Sequence, residues 1–127
     1  MREATEKDDN DVSRRLQAVG FDYGDASPAT DNAITIIDEA DPTAIIRAQP
    51  DADGRWYVQH LQGRARSLAP LIKALAQALA IRGLQARTVR WDLSRRPALD
   101  DYVNHLLTPR TAGPYTEYTP AEALTKL

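Results

Sequence analysis

The spacing of apolar residues switches between helical and strand-like periods along this chain, and each switch predicts an element. Val12, Leu16 and Val19 recur at helical steps and stop at Gly20, which predicts a short helix over residues 11–19. Residues 21–32 mix Gly, Asp, Ser and Pro and read as a loop. The β-branched runs 33–37 and 43–48 are joined by Asp38, Glu39, Ala40, Asp41 and Pro42, the composition of a hairpin. Pro50, Asp51, Asp53 and Gly54 supply a second turn, leading into a third strand over residues 55–61. Three antiparallel strands in succession make a meander.

The period then returns to helical. Leu68, Leu71, Ile72, Leu75 and Leu79 share one face of a helix running to about Arg82, with Ser67 as N-cap, Pro70 in the first turn and Gly83 as the stop. Residues 86–93 alternate and read as a fourth strand, and a strand–helix–strand passage of this length favours parallel pairing of the third and fourth strands. Pro97 opens a helix over residues 97–107 with Leu99, Val103, Leu106 and Leu107 on one side. Residues 111–119 hold one more short strand and residues 120–127 a loose helical end. The fold class that follows is α/β (α+β), with a mixed, mostly antiparallel sheet, a meander, a crossover helix, a fourth strand and a following helix. Trp56, Tyr57 and Trp91 read as core or cross-strand packing.

With 127 residues, 43% of them hydrophobic, the chain builds one core. The organisation expected is a flexible acidic tail over residues 1–10, a single α/β domain over 11–110 and a C-terminal extension over 111–127. The absence of cysteine excludes disulfides and thiolate chemistry. His60 and His105 have no partner at ligand spacing, so no metal is expected. No apolar run approaches the roughly 20 residues of a membrane span, and residues 1–9 lack the hydrophobic centre of a signal peptide. A soluble cytoplasmic protein is expected, and the excess of Arg over Lys with abundant Ala suits a GC-rich bacterial source. The net charge of −2 hides an asymmetry: residues 1–50 carry 11 acidic and 5 basic side chains, residues 51–127 carry 7 and 11. Such a division would steer an anion toward the second half.

The candidate chemistry lies where the third strand ends. Gln62, Gly63, Arg64, Ala65, Arg66 and Ser67 form a turn of small residues that feeds the strongest helix. Unpaired N–H groups, two arginines and the positive end of the helix dipole converge there, which suits an anion. Arginines oppose the dipole at this end, so an anion between them would relieve the mismatch.

From about residue 34 to residue 107, the order of elements and these residues resemble the GNAT family of acyl-CoA-dependent N-acetyltransferases. In that family a loop of the form Gln/Arg-x-x-Gly-x-Gly/Ala holds the pyrophosphate of acetyl-CoA at a helix start. The matching positions are Gln62, Ala65 and Ser67, with Gly63 and Leu68 adding backbone donors. Ala and Ser replace the two glycines and take positive φ less readily. The family also carries Asn-x-x-Ala-x-x-x-Tyr after the fourth strand, and Ala98 and Tyr102 keep that spacing with Arg95 in place of the asparagine. The resemblance implies that Tyr102 is the general acid toward the leaving thiolate; a phenol, with an ordinary pKa of roughly 10, can protonate a thiol's conjugate base. A base for the acceptor amine is also needed, and His60 is the best-placed candidate, ahead of the turn residues Glu39, Asp41, Asp51 and Asp53.

The family begins with a strand and two helices that build the acceptor site, where this chain shows one short helix. A reduced member, or one completed by a partner chain or a homodimer, is implied. Two other readings stay open. One is a non-catalytic interaction module on the same scaffold. The other is a double-stranded RNA-binding domain, whose order helix–strand–strand–strand–helix matches residues 11–82 and whose phosphate contacts would fall to Arg64, Arg66 and Lys73. The acidic hairpin and net negative charge weigh against RNA.

Overall fold

A computed structural model of the chain describes residues 1–17, 33–51, 53–84, 86–91, 97–107, 110–112 and 115–127, with 91, 97–100, 104, 110–112, 115 and 116 described by backbone alone. The expected stop at Gly20, the 21–32 loop, Asp92, Leu93, Arg95, Pro109, Gly113 and Pro114 lie outside the described residues. So do the side chains of Trp91, Ala98 and Leu99.

The elements run β1 (Arg2–Glu3), a 3₁₀ turn (Glu6–Asp8), α1 (Asp9–Gln17), β2 (Ile34–Ile37), β3 (Ile45–Pro50), β4 (Trp56–Gln62), α2 (Ala65–Ile81), β5 (Val89–Trp91), α3 (Pro97–Leu106), β6 (Arg110–Ala112), β7 (Tyr115–Tyr118) and α4 (Pro120–Lys126). The strands form one seven-stranded sheet in the order β1-β2-β3-β4-β5-β7-β6. The meander is antiparallel throughout, and the crossover through α2 makes β4 and β5 the parallel pair. The sheet is therefore mixed and mostly antiparallel, as the sequence predicts.

Side-chain alternation assigns the two faces. Ile34, Ile36, Ile46, Ala48, Val58, Leu61, Val89 and Tyr118 join Leu71, Ile72, Leu75 and Leu79 of α2, Val103 of α3 and Ala123 of α4 in the main core. On the other face Ile37 and Ile45 meet Val12 and Leu16 of α1 in a second, smaller cluster. The registers place Arg47 opposite Thr35 and His60, and Ala48 opposite Val58, so Gln59 is an extra residue that bulges β4. After this bulge His60 shares the α1 face with Arg47, while Leu61 faces α2.

Two ends of the chain differ from the sequence expectation. Within residues 1–10, where no apolar period exists, charge and backbone pairing set the structure. Glu3 and Arg2 pair with Ile36 and Ile37, and Ala4 N–H donates to Thr35 O at 2.8 Å. Arg2 bridges Asp8 at 2.7 Å and also meets Glu39, and Arg82 at the end of α2 reaches Glu3 at 2.6 Å. At the other end, two strands form where one is expected. β7 lies against β5 and carries β6 as the sheet edge. α4 is a capped helix packed on the main core, with Thr119 Oγ1 accepting the Glu122 N–H at 3.2 Å.

α2 also starts earlier than predicted. Arg64 is its N-cap, with φ −67° and ψ 153°, so Ser67 stands inside the first turn instead of capping it, and Pro70 lies inside the helix. Pro70 cannot donate to the carbonyl four residues back, at Arg66. Both positions are exposed, which lets water serve that carbonyl. Among the described residues no helix is long and apolar enough to cross a membrane.

Candidate functional site

The first turn of α2 does hold an anion, and that anion belongs to the chain. Asp41, in the hairpin turn between β2 and β3, is 1% exposed. Its Oδ2 accepts the Arg64 N–H and the Ser67 hydroxyl, both at 3.0 Å. Its Oδ1 accepts the Thr43 N–H at 3.0 Å and the Thr43 hydroxyl at 2.7 Å. Burial opposes the charge, but these donors outweigh it and hold the Asp41 carboxyl well below the usual carboxylate range. A carboxylate so saturated has no capacity left to act as a base, so Asp41 drops out of the acid–base candidates.

Behind this turn a second buried charge completes the arrangement. Arg15 of α1 is 3% exposed, and its Nη1 donates to the carbonyls of Asp38 at 3.0 Å, Asp41 at 2.7 Å and Ala44 at 2.7 Å. Its Nε meets Asp11 Oδ1 at 3.1 Å. Gln62 closes the ring from β4: its Nε2 donates to Arg15 O at 2.8 Å and Thr43 O at 3.1 Å. The carbonyls of Asp38, Asp41 and Ala44 each accept one backbone N–H within the turn, at 3.2, 3.1 and 3.5 Å, and side chains from two elements supply the further donors of this tight turn.

These contacts fix what each predicted loop residue does. Gln62 is buried and points into the ring, so its amide is committed to the fold. Gly63 takes φ +145°, and a Cβ there would stand 2.9 Å from the Ala44 Cβ, which requires glycine. Ala65 and Ser67 need no such freedom, since they lie in α2 and every positive φ among the described residues is at a glycine. Leu68 is half-buried against the main core. Arg64 and Arg66 have exposed side chains. Of the first-turn amides, that of Arg64 goes to Asp41 and that of Ser67 to Arg64 O at 2.8 Å, so those of Ala65 and Arg66 are the two left for a ligand.

Tyr102 comes to this same turn from α3, its hydroxyl donating to Ala65 O at 3.4 Å. Tyr102 is half-buried, and Val103 beside it is fully buried in the main core. His60 is not part of this group. It is half-buried on the α1 face of β4, opposite Arg47. The other acidic candidates have structural partners: Glu39 meets Arg2, and Asp51 Oδ1 accepts the N–H groups of Asp53 at 2.9 Å and Arg55 at 3.0 Å.

β4 and β5 pair at two positions, Trp56 with Val89 and Tyr57 with Arg90, while β4 continues to Gln62. The carboxyl end of β4, where the 62–67 loop begins, therefore extends past its described pairing with β5. In an open sheet such a place at the strand ends gives a ligand room to enter.

Sequence reasoning missed Arg15 and the true role of Asp41, although both left signals. Arg15 falls on the apolar stripe of α1 between Val12 and Leu16, where a solvated arginine has no place. Asp41 precedes Pro42 and Thr43, a spacing that lets its carboxylate accept the N–H two residues on. Among the described residues no group of His, Asp or Glu could hold a metal ion. Comparison of the chain with protein-family models, curated proteins and solved structures finds no significant match.

Proposed function

We propose that the chain is an acyl-CoA-dependent N-acyltransferase of the GNAT type. The observation that carries this reading is the meeting of Tyr102 and the 62–67 loop: the two segments singled out for proton donation and for pyrophosphate come from separate elements, and the Tyr102 hydroxyl lies 3.4 Å from Ala65 O. The element order adds support, since a strand, β1, precedes α1, and a meander, a crossover helix and a parallel β5 follow.

In this reading the pyrophosphate of acetyl-CoA or another acyl-CoA rests on the Ala65 and Arg66 amides with the Arg64 and Arg66 side chains beside it. Gln62, Gly63, Ser67 and Leu68 shape the turn. The amine nitrogen attacks the thioester carbon, the C–S bond breaks, and Tyr102 gives its proton to the departing thiolate. The proton lost by the amine passes to water, with His60, on the α1 face of β4, as the base candidate only where the acceptor enters from that face. The acceptor, and any protein partner or homodimer that completes its site, belong to the same proposal, as does a cytoplasmic setting.

Calorimetric titration with acetyl-CoA, followed by an amine screen, tests the reading. Binding that Arg64→Ala with Arg66→Ala weakens in a salt-dependent way is expected. Tyr102→Phe should lower turnover by about 100-fold or more while leaving acyl-CoA affinity nearly unchanged. Unchanged turnover removes Tyr102 from the chemistry. Absence of acetyl-CoA binding replaces the enzyme with an interaction module on the same scaffold. Duplex RNA has less support, because the sheet continues past α2 through β5, β7 and β6 and so exceeds the helix–three-strand–helix order of that domain.

A further inference from the structure

We infer that Arg15 and Asp41 form a joint through which α1 and the first turn of α2 open and close as one unit. Nothing in the sequence spacing links these two helices, which lie on opposite faces of the sheet. The link is the β2–β3 hairpin turn, gripped from both sides. From the α1 side one nitrogen of Arg15 holds three of its carbonyls, those of Asp38, Asp41 and Ala44. From the α2 side the Arg64 N–H and Ser67 hydroxyl hold its Asp41 carboxylate. Gln62 ties the end of β4 to both, through Arg15 O and Thr43 O.

Arg15, Asp41, Gln62 and Ser67 are each at least nine-tenths buried, at 3%, 1%, 8% and 2% exposure. Buried polar groups are costly when half-satisfied. Releasing the turn from α1 strips three carbonyls of their charged donor and leaves each with one backbone N–H, and releasing it from α2 strips a carboxylate of two donors, so either release leaves the shared turn under-satisfied. Local opening of such a network is expected to involve all its members together. Among the described residues the apolar cluster at α1 is Val12 and Leu16 against Ile37 and Ile45, with Ala4 packed beside them, and the joint adds a buried polar tie to it. The inference is independent of the acyl-transfer reading, and either can fail alone.

Amide hydrogen exchange resolved by residue tests it on the full chain. Arg15→Lys keeps the positive charge but has a shorter side chain and no counterpart of Nε, so it loses the Asp11 contact and cannot hold its nitrogen where Nη1 meets the three carbonyls. It should speed exchange at the Arg64 amide by about tenfold or more. The amides of α1 should accelerate by a similar factor, with Val89 in β5 unchanged. Acceleration confined to α1 overturns the joint. If Arg15→Lys abolishes folding, Ser67→Ala probes the joint from the other end. It removes one donor to Asp41, and it should speed exchange at Leu16 in α1, on the far side of the sheet. A Ser67→Ala effect confined to α2 overturns the inference equally.

Discussion

α2 and α1 flank the same sheet, yet they are attached by different physics. α2 lays Leu71, Ile72, Leu75 and Leu79 into the main core, all 0% exposed, together with Ala76 and Ala78. Among its described residues α1 buries Val12 and Leu16 and adds a buried arginine that reaches backbone carbonyls. The first attachment is proportional to area and tolerant of detail. The second depends on distances near 3 Å and fails when one partner is lost. The difference teaches that the loop proposed to bind the cofactor sits at the border between a forgiving apolar layer and an exacting polar one.

The largest effect should come from breaking the apolar side. Leu75→Ala leaves a cavity between α2 and the sheet and should lower unfolding free energy by about 2–5 kcal/mol. Urea denaturation checks it through a lower midpoint at unchanged slope. A loss under 1 kcal/mol would mean that the core collapses around the gap.

On the polar side, Asp41→Asn should cost about 1–3 kcal/mol, because the Arg64 N–H and Ser67 hydroxyl lose a charged acceptor. A pH series sharpens the contrast. The Asp41 carboxyl is held below its ordinary value in the folded chain, so between the two values the unfolded chain binds the extra proton. Its contribution to stability is complete above the unfolded value of roughly 4 and declines as pH falls toward the folded value. The wild-type acid limb should therefore be steeper than that of Asp41→Asn, while Leu75→Ala should shift the whole curve without changing its slope. Parallel acid limbs in wild type and Asp41→Asn would contradict the saturated carboxylate.

A third change tests how closely the loop is fitted to its support. Gly63→Ala places a Cβ at 2.9 Å from the Ala44 Cβ at φ +145°, and should destabilise by about 1–3 kcal/mol through strain. The companion change Gly83→Ala carries the φ penalty alone, at +73°, with nothing within 4 Å of the new Cβ. The difference between the two combines the contact with the hairpin and the costlier φ at Gly63. Equal losses would show that neither adds to the cost.

The same contrast explains what was legible in the sequence. The meander, α2, the parallel β5 and α3 follow from apolar period, because area-driven burial writes itself into spacing. Of the candidate site, Tyr102 and the 62–67 loop stand out in the sequence and lie within hydrogen-bond reach of each other, whereas His60 faces the α1 side because the bulge at Gln59 shifts the alternation that spacing alone would give. The anion at α2 was anticipated, but its source was not, since a helix N-terminus leaves the same sequence signature whether the anion comes from a ligand or from a hairpin more than twenty residues earlier. β1 and the doubled strand near the C-terminus left little trace, being two to four residues long and fixed by pairing across the sheet.

The smallest effect belongs to a contact that looks like a strong tie. The Glu3–Arg82 bridge, at 2.6 Å, joins the edge strand β1 to the end of α2 and so spans both attachments. Its side chains are 43% and 41% exposed, and water and salt screen it. Glu3→Gln should change stability by no more than about 1 kcal/mol, with the change vanishing in high salt. β1 also keeps backbone pairing with β2 and the Ala4 N–H bond to Thr35, neither of which needs the glutamate. Hydrogen exchange at Ala4 separates the two contributions. Slow exchange in Glu3→Gln would assign the ordering of β1 to the backbone ladder, whereas fast exchange there would make the exposed ion pair an organising contact and place the first strand on the exacting side of the molecule.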